Sequence, residues 1–161
     1  MSTSLLYHSQ KITDFHHLSH SYSGDLLTWT IMRAPGKFRC SSCKSPRVSA
    51  TRTGEREIKG LPSGCLKVLF IVIMHRLKCH QCGAFNMENL HFIPRQKCHY
   101  TKKLAENVIR LRREMTISAV SKYMGLHWNT VKDIEKEHLK KKYSSIPLHD
   151  VTAIGIDEVY V

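Results

Sequence analysis

Apolar positions along this chain change their period near residue 100, and the change divides it. Leu26-Leu27-Thr28-Trp29-Thr30-Ile31-Met32 is dense in β-branched and aromatic residues and follows the turn-forming Ser23-Gly24-Asp25. It predicts one strand of a hairpin, with Phe15–Tyr22 as a weaker partner. Pro35-Gly36 ends that pattern. Val48–Thr53 and Arg56–Leu61 then read as strands on either side of a turn at Gly54. A second turn falls at Leu61-Pro62-Ser63-Gly64, and Cys65–Leu77 forms a long β-rich run. From Thr101 the spacing becomes helical. Leu104, Val108 and Leu111, with Ala105 and Ile109 beside them, predict a helix of about 14 residues capped by Thr101. Ile117–Met124 is a second short helix, Gly125 interrupts it, and a third runs from Trp128 to Lys141. Ser144-Ser145-Ile146-Pro147 is a linker, and Ala153–Val161 reads as a buried strand carrying the adjacent acids Asp157 and Glu158.

The expected fold class is α+β, in four parts: an N-terminal hairpin segment over 1–36, a small β-rich unit over 37–98, a three-helix unit over 99–143, and a linker with one strand over 144–161. With 161 residues, 42% of them hydrophobic, the chain suffices for one ordinary domain or two small ones. Its longest apolar run, Val68–Met74, is strand-sized, so no membrane span is expected. Met1–Gln10 has neither the charged start nor the apolar stretch of an export signal. Net charge is +12, and its placement says more than its size. Residues 1–36 hold 2 basic and 2 acidic residues, 37–99 hold 12 and 3, 100–143 hold 11 and 5, and 144–161 hold none and 3. Such a basic middle suits a polyanion, most often nucleic acid.

Cys40-Ser41-Ser42-Cys43 and Cys79-His80-Gln81-Cys82 are two C-x-x-C pairs with 35 residues between them. Together they supply the four thiolates of a closed tetrahedral shell, which predicts structural Zn²⁺ at Cys40, Cys43, Cys79 and Cys82. A redox pair would instead open a helix, and neither pair does. The β-rich unit is thin in apolar residues, so the metal is expected to staple it. Of the remaining thiols, Cys65 is expected to be a small buried residue, and Cys98 is a spare. His8, His16, His17 and His20 do not form a compact ligand set.

Ile117–Ile134 has the spacing of a helix-turn-helix, with Val120, Met124, Leu126, Val131 and Ile134 facing inward, Ser121 at the helix crossing and Gly125 in the turn. In that arrangement the last helix enters the major groove and presents Trp128, Asn129, Thr130, Lys132, Asp133 and Lys136. Asn can bond adenine at two points, while Lys can bond guanine or a phosphate. Lys102, Lys103, Arg110, Arg112 and Arg113 lie on or beside the first helix, which crosses the DNA backbone in this motif. A plain three-helix bundle is the competing reading of the fold. A zinc-dependent helix-turn-helix transcription regulator is the competing reading of the function.

In this order the cysteine pairs, the helix-turn-helix and the Ile156-Asp157-Glu158 strand resemble the N-terminal part of insertion-sequence transposases of the ISL-three group. Met1–His8, Ile58–Gly64, Tyr100-Thr101, Met115-Thr116-Ile117 and Ala153–Glu158 also resemble members of that family. The resemblance implies binding to the terminal inverted repeats of a mobile element, in the cytoplasm of a bacterium, on its nucleoid. It also implies an RNase H-like catalytic domain in which three carboxylates hold two divalent metal ions. Asp157 matches the first of the three, on the first strand of that domain. The second Asp and the final Glu have no counterpart here, so the chain as given is expected to be the DNA-binding part, truncated and not an enzyme, and Mg²⁺ would serve only a full-length relative. Expected partners are double-stranded DNA and either a second copy of the chain or a full-length transposase.

Overall fold

The computed structural model describes residues 3–145 and residue 155. The strand expected over Ala153–Val161, with Asp157 and Glu158, lies outside the described residues. The elements in chain order are α1 (Thr3–Gln10), β1 (Phe15–Ser23), β2 (Leu26–Arg33), β3 (Val48–Ser63), β4 (Leu66–Cys79), β5 (Phe85–Met87), α2 (Lys102–Leu111), α3 (Ile117–Met124) and α4 (Trp128–Lys142). The fold is α+β: a sheet of order β1-β2-β4-β3, with β5 also on β4, followed by three helices.

β4 organises the sheet because it is the richest run of β-branched and aromatic residues, and it pairs along its length with two neighbours. It runs antiparallel to β3 and parallel to β2. Val68, Phe70 and Val72 are buried on one side of it. Leu6 of α1, Phe15 of β1, Leu27 and Ile31 of β2, Ile58 of β3 and Leu90, Phe92 and Ile93 of the loop after β5 complete that core. Helix α1 is a feature that the apolar pattern does not announce. Its docking relies on Gln10, whose side chain accepts from the Leu61 backbone N–H at 2.9 Å and donates to the Leu61 carbonyl at 2.8 Å.

Two expectations about the β unit are corrected. Gly54 is not a turn; β3 runs through it as one strand of 16 residues, with a register shift between Arg52 and Gly54. The long β4 template holds both halves of β3, and one surplus residue is absorbed as a bulge. The hairpin turn falls at Gly64-Cys65, with Gly64 at φ 59°, so Cys65 sits exposed at the tip and not in the core.

A buried ionic knot holds the loop after β5. Arg33 Nε donates to Glu88 Oε2 at 2.7 Å and its Nη2 to the Asn89 carbonyl at 2.6 Å. The backbone N–H of His75 reaches Glu88 Oε1 at 2.8 Å, and its ring nitrogen lies 3.0 Å from the same oxygen.

The helical unit has its own core of Leu104, Val108, Val120, Met124, Leu126, Val131 and Ile134. Thr101 Oγ1 accepts from the Leu104 N–H and Thr116 Oγ1 from the Ala119 N–H, each at 3.2 Å. Gly125 closes α3 in the left-handed conformation at φ 61°, as the turn requires, and His127 Nδ1 caps α4. Helix α2 is shorter than expected, at 10 residues, because Arg112 ends it and bonds the Met115 carbonyl across the turn. The unit joins the sheet at β3. Lys59 accepts from the Thr101 N–H and donates its own N–H to the His99 carbonyl, both at 2.9 Å, and Arg95 pairs with Glu137 of α4.

Candidate metal centre and nucleic-acid interface

The sheet brings together four thiols that lie far apart in the chain. Val48 pairs with Cys79, so the start of β3 and the end of β4 bring the two C-x-x-C loops to one end of the sheet. Each loop folds back on itself: the Lys44 N–H bonds the Cys40 carbonyl at 3.0 Å and the Cys79 N–H bonds the Ala84 carbonyl at 2.9 Å. Lys44 at φ 61° and Gly83 at φ 71° supply the left-handed residues of the two loops. The Sγ atoms of Cys40, Cys43, Cys79 and Cys82 all lie within 4.8 Å of one another. Cys40 to Cys82 and Cys43 to Cys79 are both 3.6 Å. A tetrahedral shell with ~2.3 Å metal–sulfur bonds has sulfur–sulfur edges of roughly 3.8 Å, so the four thiols are spaced as ligands of one ion.

Local dipoles favour thiolates. The Cys43 backbone N–H, followed by that of Ser42, outweighs burial and draws Cys40 down to about 6. The Cys82 and Gln81 N–H groups lower Cys79 likewise. Cys43 receives the Ser45 N–H, yet burial and the neighbouring sulfurs prevail and push it up to about 12. Three crowded sulfurs oppose a further negative charge until a cation joins them. Cys65 and Cys98 stay outside the cluster. His17 and His20 touch at 3.3 Å on β1, without a third ligand among the described residues.

At the helical end, α4 turns Val131 and Ile134 into the core, and Trp128, Asn129, Lys132, Asp133 and Lys136 are exposed, with Thr130 half-buried. Lys132 Nζ lies 5.1 Å from the Trp128 ring centroid, so the indole steadies the ammonium at the start of the helix. Ser121 Oγ donates to the Leu126 carbonyl at 2.7 Å and fixes the turn between α3 and α4. The residues on and beside α2 divide. Lys102, Arg110 and Arg113 are exposed and line a groove of about 650 Å³ between α2 and α4. Lys103 pairs with Glu106, and Arg112 Nε bonds Glu135 of α4 at 3.0 Å. Sequence reasoning missed Lys59 and Lys67 of the sheet. Lys59 Nζ donates to the Gly125 carbonyl at 3.3 Å, and a Cβ at Gly125 would meet Lys67 Cε at 3.0 Å. Their separation along the chain leaves no local signal.

A four-thiol cluster able to hold a metal ion stands on a sheet joined to three helices, the last of which presents a basic outer face, and the helices have helix-turn-helix form. Residues 89–139 match the helix-turn-helix domain of transposase family ISL3. The chain is 27% identical over 119 residues to the transposase for insertion sequence element IS1001 of Bordetella parapertussis. That match covers 74% of this chain and 29% of the relative. Residues 89–139 are thus similar to the helix-turn-helix domain of ISL3-family transposases, and the chain as a whole is similar to the 29% of the IS1001 transposase that it spans. No solved structure matches it. Among the described residues no helix is long and apolar enough to cross a membrane.

Proposed function

We propose that this chain is the end-recognition part of a transposase, which binds the terminal inverted repeats of its own insertion sequence in the bacterial cytoplasm, on the nucleoid. The observation that carries the reading is the split of α4: its apolar residues are spent on the core, while Trp128, Asn129, Lys132 and Lys136 face outward from a helix whose family match is to a transposase. In this reading α4 enters the major groove, Asn129 and Lys132 read bases, and Lys102, Arg110 and Arg113 hold phosphates. Lys59 and Lys67, beside the Gly125 turn, extend the basic surface onto the sheet. The four cysteines hold Zn²⁺, which supplies structure and no open coordination position. Asp157, outside the described residues, is by resemblance the first of three carboxylates of a strand-transfer site.

Titration of the metal-loaded chain with a duplex carrying the inverted repeat and with a scrambled duplex, at two salt concentrations, tests the reading. Tighter binding to the repeat is expected, with the preference kept as salt rises. Equal affinity for both duplexes would overturn it.

A further inference from the structure

The two edges of the sheet are unlike. The β3 edge is guarded: Lys59 bridges to Tyr100, α2 packs against the strand, and Arg52, Glu55, Arg56 and Glu57 place charges along it. β1, at the other end of the strand order, has no strand paired to its outer edge among the described residues. It is 9 residues long and contains no Lys, Arg, Asp, Glu or Pro. Only Phe15 of the strand is buried, while Leu18 is 47% and Tyr22 64% exposed. Proteins keep long neutral edges from pairing by placing Lys, Pro or a cover on them, and β1 carries only the bulge between His17 and Ser19.

Charge distribution identifies what the edge accepts. Residues 37–143 hold 23 basic and 8 acidic residues, whereas residues 1–36 balance at 2 and 2. Two copies of so basic a chain repel one another wherever the middle of the chain meets itself, and the hairpin of β1 and β2 is neutral. The helical unit reaches the sheet at β3 and at Lys67 of β4, whose ammonium is paired with Asp25, and the body of the unit lies beside β3, three strand spacings or roughly 14 Å from β1. That exceeds the ~8 Å over which charges act at physiological salt. A polyanion finds nothing to bind on β1. A second copy finds a strand that repels it nowhere.

We propose that β1 is a homodimer edge, pairing with β1 of a second copy. A two-fold axis makes the pairing antiparallel and self-complementary, and it joins the two five-stranded sheets into one of ten strands, with β3-β4-β2-β1 and its reverse as the main order and each β5 on its own β4. Both helical units then stand at the outer ends of the joined sheet, free of the interface. The inference rests on strand order and charge, and it stands apart from the DNA-binding reading.

Sedimentation velocity of the full, metal-loaded chain at micromolar concentrations tests it. A concentration-dependent dimer is expected for the parent and for Thr51→Lys on β3, with loss of the dimer in Ser19→Lys/Ser21→Lys. The circular dichroism and metal content of that double variant should match the parent. A monomeric parent, or a dimer indifferent to the two β1 lysines, overturns the proposal. The second arm holds even if the lysines disturb the sheet: Ser19→Cys, in a Cys65→Ser background, should form a disulfide-linked dimer faster than Thr51→Cys in the same background. Equal rates for the two overturn it.

Discussion

Arg112 and Lys132 are both basic residues of the helical unit, yet their charges meet different surroundings. The Arg112 guanidinium is tied to Glu135 and to the Met115 carbonyl, so it joins α2 to α4. Lys132 rests on Trp128 with its ammonium facing solvent. Asn129→Ala and Lys132→Ala should each cost ~1–3 kcal/mol on the inverted repeat and little on scrambled DNA, in paired titrations. Arg113→Ala should weaken both duplexes alike and lower the salt slope by about one. Equal losses on both duplexes for the α4 variants would show that α4 does not read bases. The loop after β5 has a charged residue of the opposite kind. Glu88 has 1% of its side chain exposed and is held by Arg33 and His75. Replacing Arg33 with Met leaves that carboxylate only the His75 ring and backbone N–H, at about 3–5 kcal/mol, since losing one partner of a buried ion pair is strongly destabilising. Urea denaturation reads this as an earlier midpoint, and an unchanged midpoint would contradict it.

Glycines in the β3–β4 hairpin separate two kinds of constraint at the level of the element. Gly64 takes the left-handed turn with open space around its Cβ position, so Gly64→Ala meets only backbone strain, about 1–2 kcal/mol. Gly60 has ordinary backbone, but a Cβ there would lie 2.5 Å from Phe70, 2.9 Å from Val68 and 3.1 Å from Gln10. Gly60→Ala must therefore displace the core side chain Phe70 and the bonds from Gln10 that dock α1, costing ~3 kcal/mol or more. Thermal unfolding should rank Gly60→Ala well below Gly64→Ala, and the reverse order would refute the packing account. The same region shows what the sequence can and cannot announce. The three helices of the helical unit, the cap at Thr101 and the four clustered thiols follow from local spacing and are found there, although α2 stops short of its expected length. Gly54 looks like a turn from its neighbours alone, and only the long partner strand β4 makes it a bulge. Helix α1 was hidden because its docking depends on Leu61, 51 residues beyond Gln10. The parallel pairing of β2 with β4 is equally non-local: it unites the N-terminal hairpin and the cysteine-bearing strands in one sheet, which no window of residues predicts.

Across the whole molecule, the apolar cores and the thiol cluster occupy different places, and this shapes the response to metal removal. One core lies between α1 and the part of the sheet that contains Ile58 and Phe70, and another lies within the three helices. The cluster end has neither. Val48 is half-buried and residues 49–55 of β3 are all exposed, as are the three residues of β5. Backbone hydrogen bonds, and the four thiols when they hold an ion, are what is left to hold that end together. A four-thiolate Zn²⁺ site contributes ~10–16 kcal/mol of apparent binding free energy, far more than the few contacts there supply without it. Metal analysis should find one zinc per chain, and Cys79→Ser should lose it. Chelation is then expected to unfold the molecule from one end. Amide exchange should accelerate at Val48–Arg52 and Phe85–Met87, while Ile58, Phe70, Val108 and Val131 stay protected by their own cores. Unaltered exchange at Val48–Arg52 after complete metal removal would show that the ion is not structural. Loss of protection everywhere at once would show that the two cores depend on the metal, and that the division of the molecule into separately stabilised parts is wrong.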